Sequence, residues 1–234
     1  MRTRSHLART EALLVRSAPF GDADVMVTLF TEARGIVSAV ARSARRSVKR
    51  FAALEPMHLL RVALEERAGV DVATLVESAI ARPRLGIVQS LEKLDAAGAA
   101  LRWVRRAAPP HTPEPALWLE INGLLDRLDA TDPTPAPQAL LAVAGLRILV
   151  AIGWGLELTR CVRCGRACEP GAGACVDPAA GGLVCRACGG ARIVLRGERR
   201  TQLLAASLGE DVALAPDDAR AALEIVDAAM AAHT

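Results

Sequence analysis

The chain has 234 residues, with 29 Lys+Arg against 26 Asp+Glu, 6 Cys, no Tyr, 3 Phe and 3 Trp. At 52% hydrophobic and 24% charged residues it can bury a sizeable core, which excludes global disorder, and its length allows one large or two small domains. The opening MRTRSHLART has no apolar signal-like run, and residues 139–156 carry Arg147 near their middle, at a cost of roughly 2.5–3.5 kcal/mol in a bilayer; a soluble, cytoplasmic chain is expected.

Residues 12–17, 24–31, 35–41, 57–64 and 70–76 are short apolar runs separated by turn signals. These signals include Pro19-Phe20-Gly21-Asp22 and Glu65-Glu66-Arg67-Ala68-Gly69. Five short strands in about 70 residues predict a small barrel or sandwich, and a five-stranded Greek-key barrel of the OB type fits the count. After Pro83 the period becomes helical, with Ile87, Leu91, Leu94, Leu101 and Val104 forming one stripe over residues 87–107. Proline-rich breaks then separate helices expected at 115–128 and 138–152, the latter buried. Two more helices are expected at 199–207 and 216–232, with Asp217 and Asp218 suiting the dipole at the start of the last. An alanine count of 46 favours thin, closely packed helices.

All six cysteines fall between residues 161 and 188. Cys161-Val-Arg-Cys164 and Cys185-Arg-Ala-Cys188 are two Cys-x-x-Cys knuckles separated by 20 residues, the spacing of a tetrahedral zinc site. Each knuckle offers two thiolates from one tight turn, and Gly165 and Gly189 follow directly, where the backbone must fold around the metal. Four thiolates fill the shell, so the expected zinc is structural, one per chain. Cys168 and Cys175 are extra thiols; Cys164-x3-Cys168 is an alternative first pair, and packing of the module is their other role.

The chain resembles the RecO family of bacterial recombination mediators. The resemblance is carried by residues 11–17, Gly21-Asp22-Ala23-Asp24, Thr28-Leu29-Phe30-Thr31, Gly35 and Ala44-Arg45-Arg46. It continues through Arg147-Ile148-Leu149, Gly153, Leu158, the first knuckle, and Pro178 through Cys185. It implies an α+β multidomain protein: an OB domain over residues 1–81, a helical domain over 82–158 and 193–234, and a zinc finger inserted at 159–192. It also implies a non-catalytic DNA-repair protein that binds single- and double-stranded DNA and anneals complementary strands. With the RecR partner such a protein helps load RecA onto strands coated by single-strand-binding protein, whose acidic C-terminal tail it contacts through the helical domain. In one departure, Ser43 stands where the family usually has Gly before Ala-Arg-Arg.

Charge is distributed to match a polyanionic partner. Residues 1–50 hold ten basic and four acidic side chains, 51–159 ten and thirteen, 160–200 eight and three, and 201–234 one and six. Between residues 42 and 50 there is no acid, so Arg42, Arg45, Arg46, Lys49 and Arg50, with Arg34 beside them, are the expected phosphate contacts. Arg2, Arg4 and Arg9 form a candidate basic arm, and Arg160, Arg163, Arg166 and Arg186 extend the path across the finger or simply solvate it. Phe20, Phe30 and Phe51 are the aromatics of the barrel region, and core filling is favoured over base stacking for all three. The four histidines have no partner at a catalytic spacing, and no Gly-rich loop with Lys cradles a phosphate, so no enzyme is expected. The alternatives are a zinc-ribbon transcription regulator and, third, a thiol enzyme using Cys168 or Cys175.

Overall fold

In the computed structural model, residues 5–47, 50–51, 54–131 and 135–233 are described. Two compact units divide the chain, Met1–Leu119 and Glu120–Thr234.

The first unit is built on a closed five-stranded barrel of β1 (Ser5–Phe20), β2 (Asp24–Thr31), β3 (Gly35–Ala41), β4 (Leu59–Arg67) and β5 (Ala73–Arg82). The strand order is β1-β2-β3-β5-β4, and only the β3–β5 pair is parallel, which makes the barrel OB-like. β1 is longer than its apolar run because it serves two neighbours: residues 5–13 pair with β4 and residues 12–20 with β2. The interior is filled by alternate residues such as Leu14, Val27, Leu29, Val37, Leu60, Leu64 and Leu75. Phe30 is fully buried but on the outer face of β2, edge-on to Trp118 at 5.5 Å, so it seals the barrel from outside.

β4 and β5 both run further along the chain than the apolar pattern indicates. Met57 has φ +76 and stands outside any strand, whereas Glu65 and Glu66, read as turn residues, pair with Leu7 and His6 of β1. The helical stripe after Pro83 is two helices, α1 (Leu85–Val88) and α2 (Leu91–Ala107), because Ser90 caps the second by accepting from the Lys93 N–H. The chain after α2 returns along β3: Ile36 donates to the Pro109 carbonyl and His111 to the Ile36 carbonyl. Gly35, at φ +59, sits so close to the Pro109 and Thr112 carbonyls that a Cβ has no room there.

Helix α3 (Pro115–Asp129) leads into the second unit. There α4 (Pro137–Ala151) packs against α5 (Gly197–Ser207) and α6 (Pro216–His233). α4 is buried around almost its whole circumference. Arg147, the one charge in it, donates to the Ala206 and Glu210 carbonyls at 3.3 and 2.8 Å and so caps the end of α5. No helix among the described residues is long and apolar enough to cross a membrane. α6 buries Ala222, Ile225, Val226, Ala229 and Met230, so the acidic C-terminal segment folds as a core helix.

Between α4 and α5 lies a small four-stranded sheet of order β6-β8-β7-β9: β6 (Glu157–Cys161), β7 (Ala174–Asp177), β8 (Gly182–Leu183) and β9 (Ile193–Leu195). It carries the cysteines.

Candidate metal centre and nucleic-acid interface

β6 ends on Cys161, and the first knuckle closes when the Gly165 N–H donates to the Cys161 carbonyl at 2.8 Å, with Gly165 at φ +72. In the second knuckle a one-turn 3-10 helix spans Arg186–Cys188, and Gly189 and Gly190 follow at φ +103 and +64. Both turns therefore use left-handed backbone at the glycines that follow the cysteine pairs. The knuckles are tied together: the Val162 N–H donates to the Leu183 carbonyl, the Cys185 N–H to the Cys161 sulfur at 3.3 Å, and Arg163 Nη1 to the Cys188 carbonyl at 2.8 Å.

The four sulfurs of Cys161, Cys164, Cys185 and Cys188 lie within 4.8 Å of one another. A tetrahedron with metal–sulfur bonds of ~2.3 Å has sulfur–sulfur edges of about 3.8 Å. Cys164 and Cys185 are 3.7 Å apart, so this donor set fits a thiophilic cation. The electrostatics agree. N–H donation from Cys185 lowers the Cys161 thiol to about 6, while hydrogen bonding to the Cys185 and then the Cys164 sulfur pushes Cys188 up to about 12. One thiolate is stabilised and further ionisation opposed, and a bound dication removes that opposition. Cys168 and Cys175 stand outside the cluster. They line a cleft of about 460 Å³ beside Cys161 and Cys185, together with Arg166 and Arg186.

The basic segment after β3 is ordered on the hairpin that joins β1 and β2. The Ser43 N–H donates to Asp24 Oδ1 at 2.7 Å, the Arg45 N–H to the Ala23 carbonyl at 3.1 Å, and Arg45 Nη1 to the Asp22 carbonyl at 3.4 Å. Asp24 is thus a backbone cap. Arg42, Arg45, Arg46 and Arg50 are all exposed, and the Arg50 guanidinium lies 5.0 Å from the centre of the Phe51 ring. Lys49 falls outside the described residues, as do Arg2 and Arg4.

Two basic residues differ from expectation. Arg34 is ion-paired with Glu66 of β4, both partly buried, and is not a free cation. Arg9 belongs to no flexible arm: it lies within β1 opposite Ala63 and meets Glu77 at 3.7 Å. In the finger, Arg160 and Arg163 face Glu157 and Asp177 at 3.6 and 3.9 Å. Of the barrel phenylalanines, Phe30 and Phe51 are buried and Phe20 is 51% exposed beside the hairpin that holds the basic segment.

Sequence reasoning missed Arg200 of α5. It is buried, and donates to the Ala172 carbonyl at 3.1 Å, to the Leu158 carbonyl at 2.8 Å and to the Glu169 carbonyl, gathering three segments of the cysteine module onto one guanidinium. Its only sequence signal was a charge inside an apolar helical face, beside Leu203 and Ala206.

Comparison with known proteins covers both units. Residues 1–84 match the family model described as recombination protein O N terminal, and residues 88–234 that described as recombination protein O C terminal. Among curated relatives, the DNA repair protein RecO of Anaeromyxobacter dehalogenans is 36% identical over 159 residues, 68% of this chain and 61% of the relative. That of Geobacter metallireducens is 34% identical over 158 residues, 67% of this chain and 63% of the relative. That of Bifidobacterium longum is 32% identical over 166 residues, 70% and 68%. In the first two, the matched stretch spans a little over three-fifths of the relative's length.

Proposed function

The chain belongs to the RecO family, and we propose that it acts in DNA repair as a non-catalytic recombination mediator that binds single- and double-stranded DNA and anneals complementary strands. The observation that carries this reading is the exposed, acid-free arginine group of the segment after β3, held on an OB-like barrel by Asp24 and the Ala23 carbonyl. Cations fixed on a rigid barrel track phosphates without reading bases, so binding is electrostatic and tolerant of sequence. With Phe30 and Phe51 buried, stacking has at most Phe20 to draw on.

The cysteine centre holds zinc in a structural role, because four sulfur donors leave no open position for substrate. RecR, and the acidic tail of single-strand-binding protein, are the protein partners in this reading, with RecA loading as the outcome; the relatives' shared name, DNA repair protein RecO, supports it. The alternative of a sequence-specific regulator finds no support in a recognition helix among the described residues.

The test is annealing of complementary oligonucleotides by the zinc-loaded chain, followed across a salt series. Annealing should need no nucleotide cofactor, and log affinity should fall linearly with log salt for unrelated sequences alike. Affinity that is flat in salt, or confined to one sequence, overturns the reading.

A further inference from the structure

Four of the six cysteines form the metal centre, and the other two, Cys168 and Cys175, are the thiols that a zinc-loaded chain leaves free. Both line one cleft of about 460 Å³, within the size range of sites that take a small organic molecule. Both are half-buried, and the cleft opens to solvent past the exposed residues Arg166, Ala167, Gly173 and Arg186.

Strand geometry places a cation beside one of these thiols. The Cys161 N–H donates to the Arg166 carbonyl and the Cys168 N–H to the Thr159 carbonyl, both at 2.8 Å, with Ala167 bridged to Arg160 between them. Residues 166–168 are therefore extended against β6, and Arg166 and Cys168, two positions apart, share a face. Cys175 stands opposite Val194 of β9, which also lines the cleft and is 61% exposed. The charge of the cleft has one sign. Arg160 and Arg163, outside it, face Glu157 and Asp177. Arg166 and Arg186 have no ion pair or side-chain hydrogen bond among the described residues, and no carboxylate lines the cleft. Two unpaired guanidinium groups around a partly exposed thiol select an anionic molecule that reacts with sulfur.

We propose that this cleft is a modification site, in which Cys168 forms a mixed disulfide with an anionic low-molecular-weight disulfide whose carboxylates rest on Arg166 and Arg186. The Cys168 thiolate, its proton given to solvent, attacks one sulfur of the small disulfide. The new S–S bond forms as the old one breaks, and the other half departs as a thiolate that takes a proton from solvent. Cys168 is oxidised to the disulfide level and the departing half is reduced to a thiol, so no other oxidant enters. Excess small thiol reverses the step. The adduct covers two cations of the cysteine module and leaves the four metal ligands in place. The inference rests on the zinc reading above, because the metal is what withholds Cys161 and Cys185, on the same cleft, from the reaction.

Full-length, reduced, zinc-loaded protein is mixed with oxidised glutathione, an anionic disulfide, or with cystamine, a cationic one. Native mass spectrometry reads adduct and zinc on the intact chain, and peptide mapping locates the adduct. One adduct should form, on Cys168, with zinc retained, about tenfold faster with glutathione than with cystamine at low salt. The double variant Arg166→Gln, Arg186→Gln should keep its zinc and bring the two rates within about twofold of each other. Cys168→Ser should keep its zinc and form no adduct. An adduct on Cys175, a Cys168–Cys175 disulfide in its place, or no adduct on the zinc-loaded parent overturns the proposal while leaving the metal centre standing. An undiminished preference for glutathione in the double arginine variant also overturns it. A freshly purified, reduced chain that holds no zinc and offers all six thiols to the reagent overturns the zinc reading beneath it.

Discussion

At the residue scale, single side chains hold the local geometry that the sites need. Ser43 has φ +56, a left-handed conformation that costs a residue with a Cβ roughly 1–2 kcal/mol. It is tolerated because its N–H is held by Asp24. Glycine, which the family resemblance expects at this position, adopts it freely, so Ser43→Gly should stabilise the protein by about 0.5–1 kcal/mol in urea unfolding, part of the relief being returned as chain entropy. Loss of stability would mean that the serine side chain holds the loop. Arg200 presents the opposite case. A planar fork reaches the carbonyls of Ala172, Leu158 and Glu169 together, and a single ammonium does not. Arg200→Lys should cost roughly 2–4 kcal/mol and weaken metal retention, because at least one buried carbonyl loses its donor. Unfolding at the parental urea midpoint would remove this role.

Among the elements, legibility in the sequence follows length and punctuation. β2 and β3 coincide with their apolar runs because Gly21 and Gly35, at φ +62 and +59, set where the chain turns. The first half of β1 and the far half of β5 escape because polar residues such as Thr10, Glu11, Glu77 and Ser78 break the alternation, and only pairing with β4 makes them strands. The finger's strands, of two to five residues, are too short for a period; cross-links between the knuckles set them. The metal ligands were readable because thiolate spacing is itself the signal, whereas the Arg34–Glu66 pair joins residues far apart in sequence that only the barrel brings together. The knuckles also predict a pH dependence. Cys161, at about 6, is mostly thiolate at pH 7, but Cys188, at about 12, must lose its proton when metal binds. Metal affinity should therefore fall by at least about tenfold per pH unit on acidification, more steeply below pH 6 where Cys161 must also deprotonate. Chelator competition between pH 5 and 8 checks this, and an affinity independent of pH refutes it.

On the scale of the whole molecule, what matters is which charges are free. The chain carries 29 basic residues, yet Arg34, Arg147, Arg199 and Arg200 are engaged with Glu66, carbonyls or Asp218. An arginine held by a carboxylate releases no counterion from DNA, so sequence charge overstates the footprint. The exposed side chains of Arg42, Arg45 and Arg46 are free in this sense: none has an ion pair among the described residues, and the one link from Arg45 is a 3.4 Å approach to the Asp22 carbonyl. Replacing these three by Gln should flatten the slope of log affinity against log salt by roughly 2–3, at ~0.7–0.9 for each phosphate no longer neutralised, and annealing should decline with it. Arg34→Gln is the matched control. It removes one formal charge, as each of the three loop substitutions does, from the same region of sequence but breaks only the pair with Glu66, so it should lower stability by about 1 kcal/mol or less and leave the slope where it was. If Arg34→Gln flattens the slope as much as each loop arginine, the pair with Glu66 opens on DNA and the interface extends to the β2–β3 turn. If the triple variant keeps the parental slope, the phosphates are held elsewhere, and the arginines of the cysteine module, Arg166 and Arg186, become the next to replace.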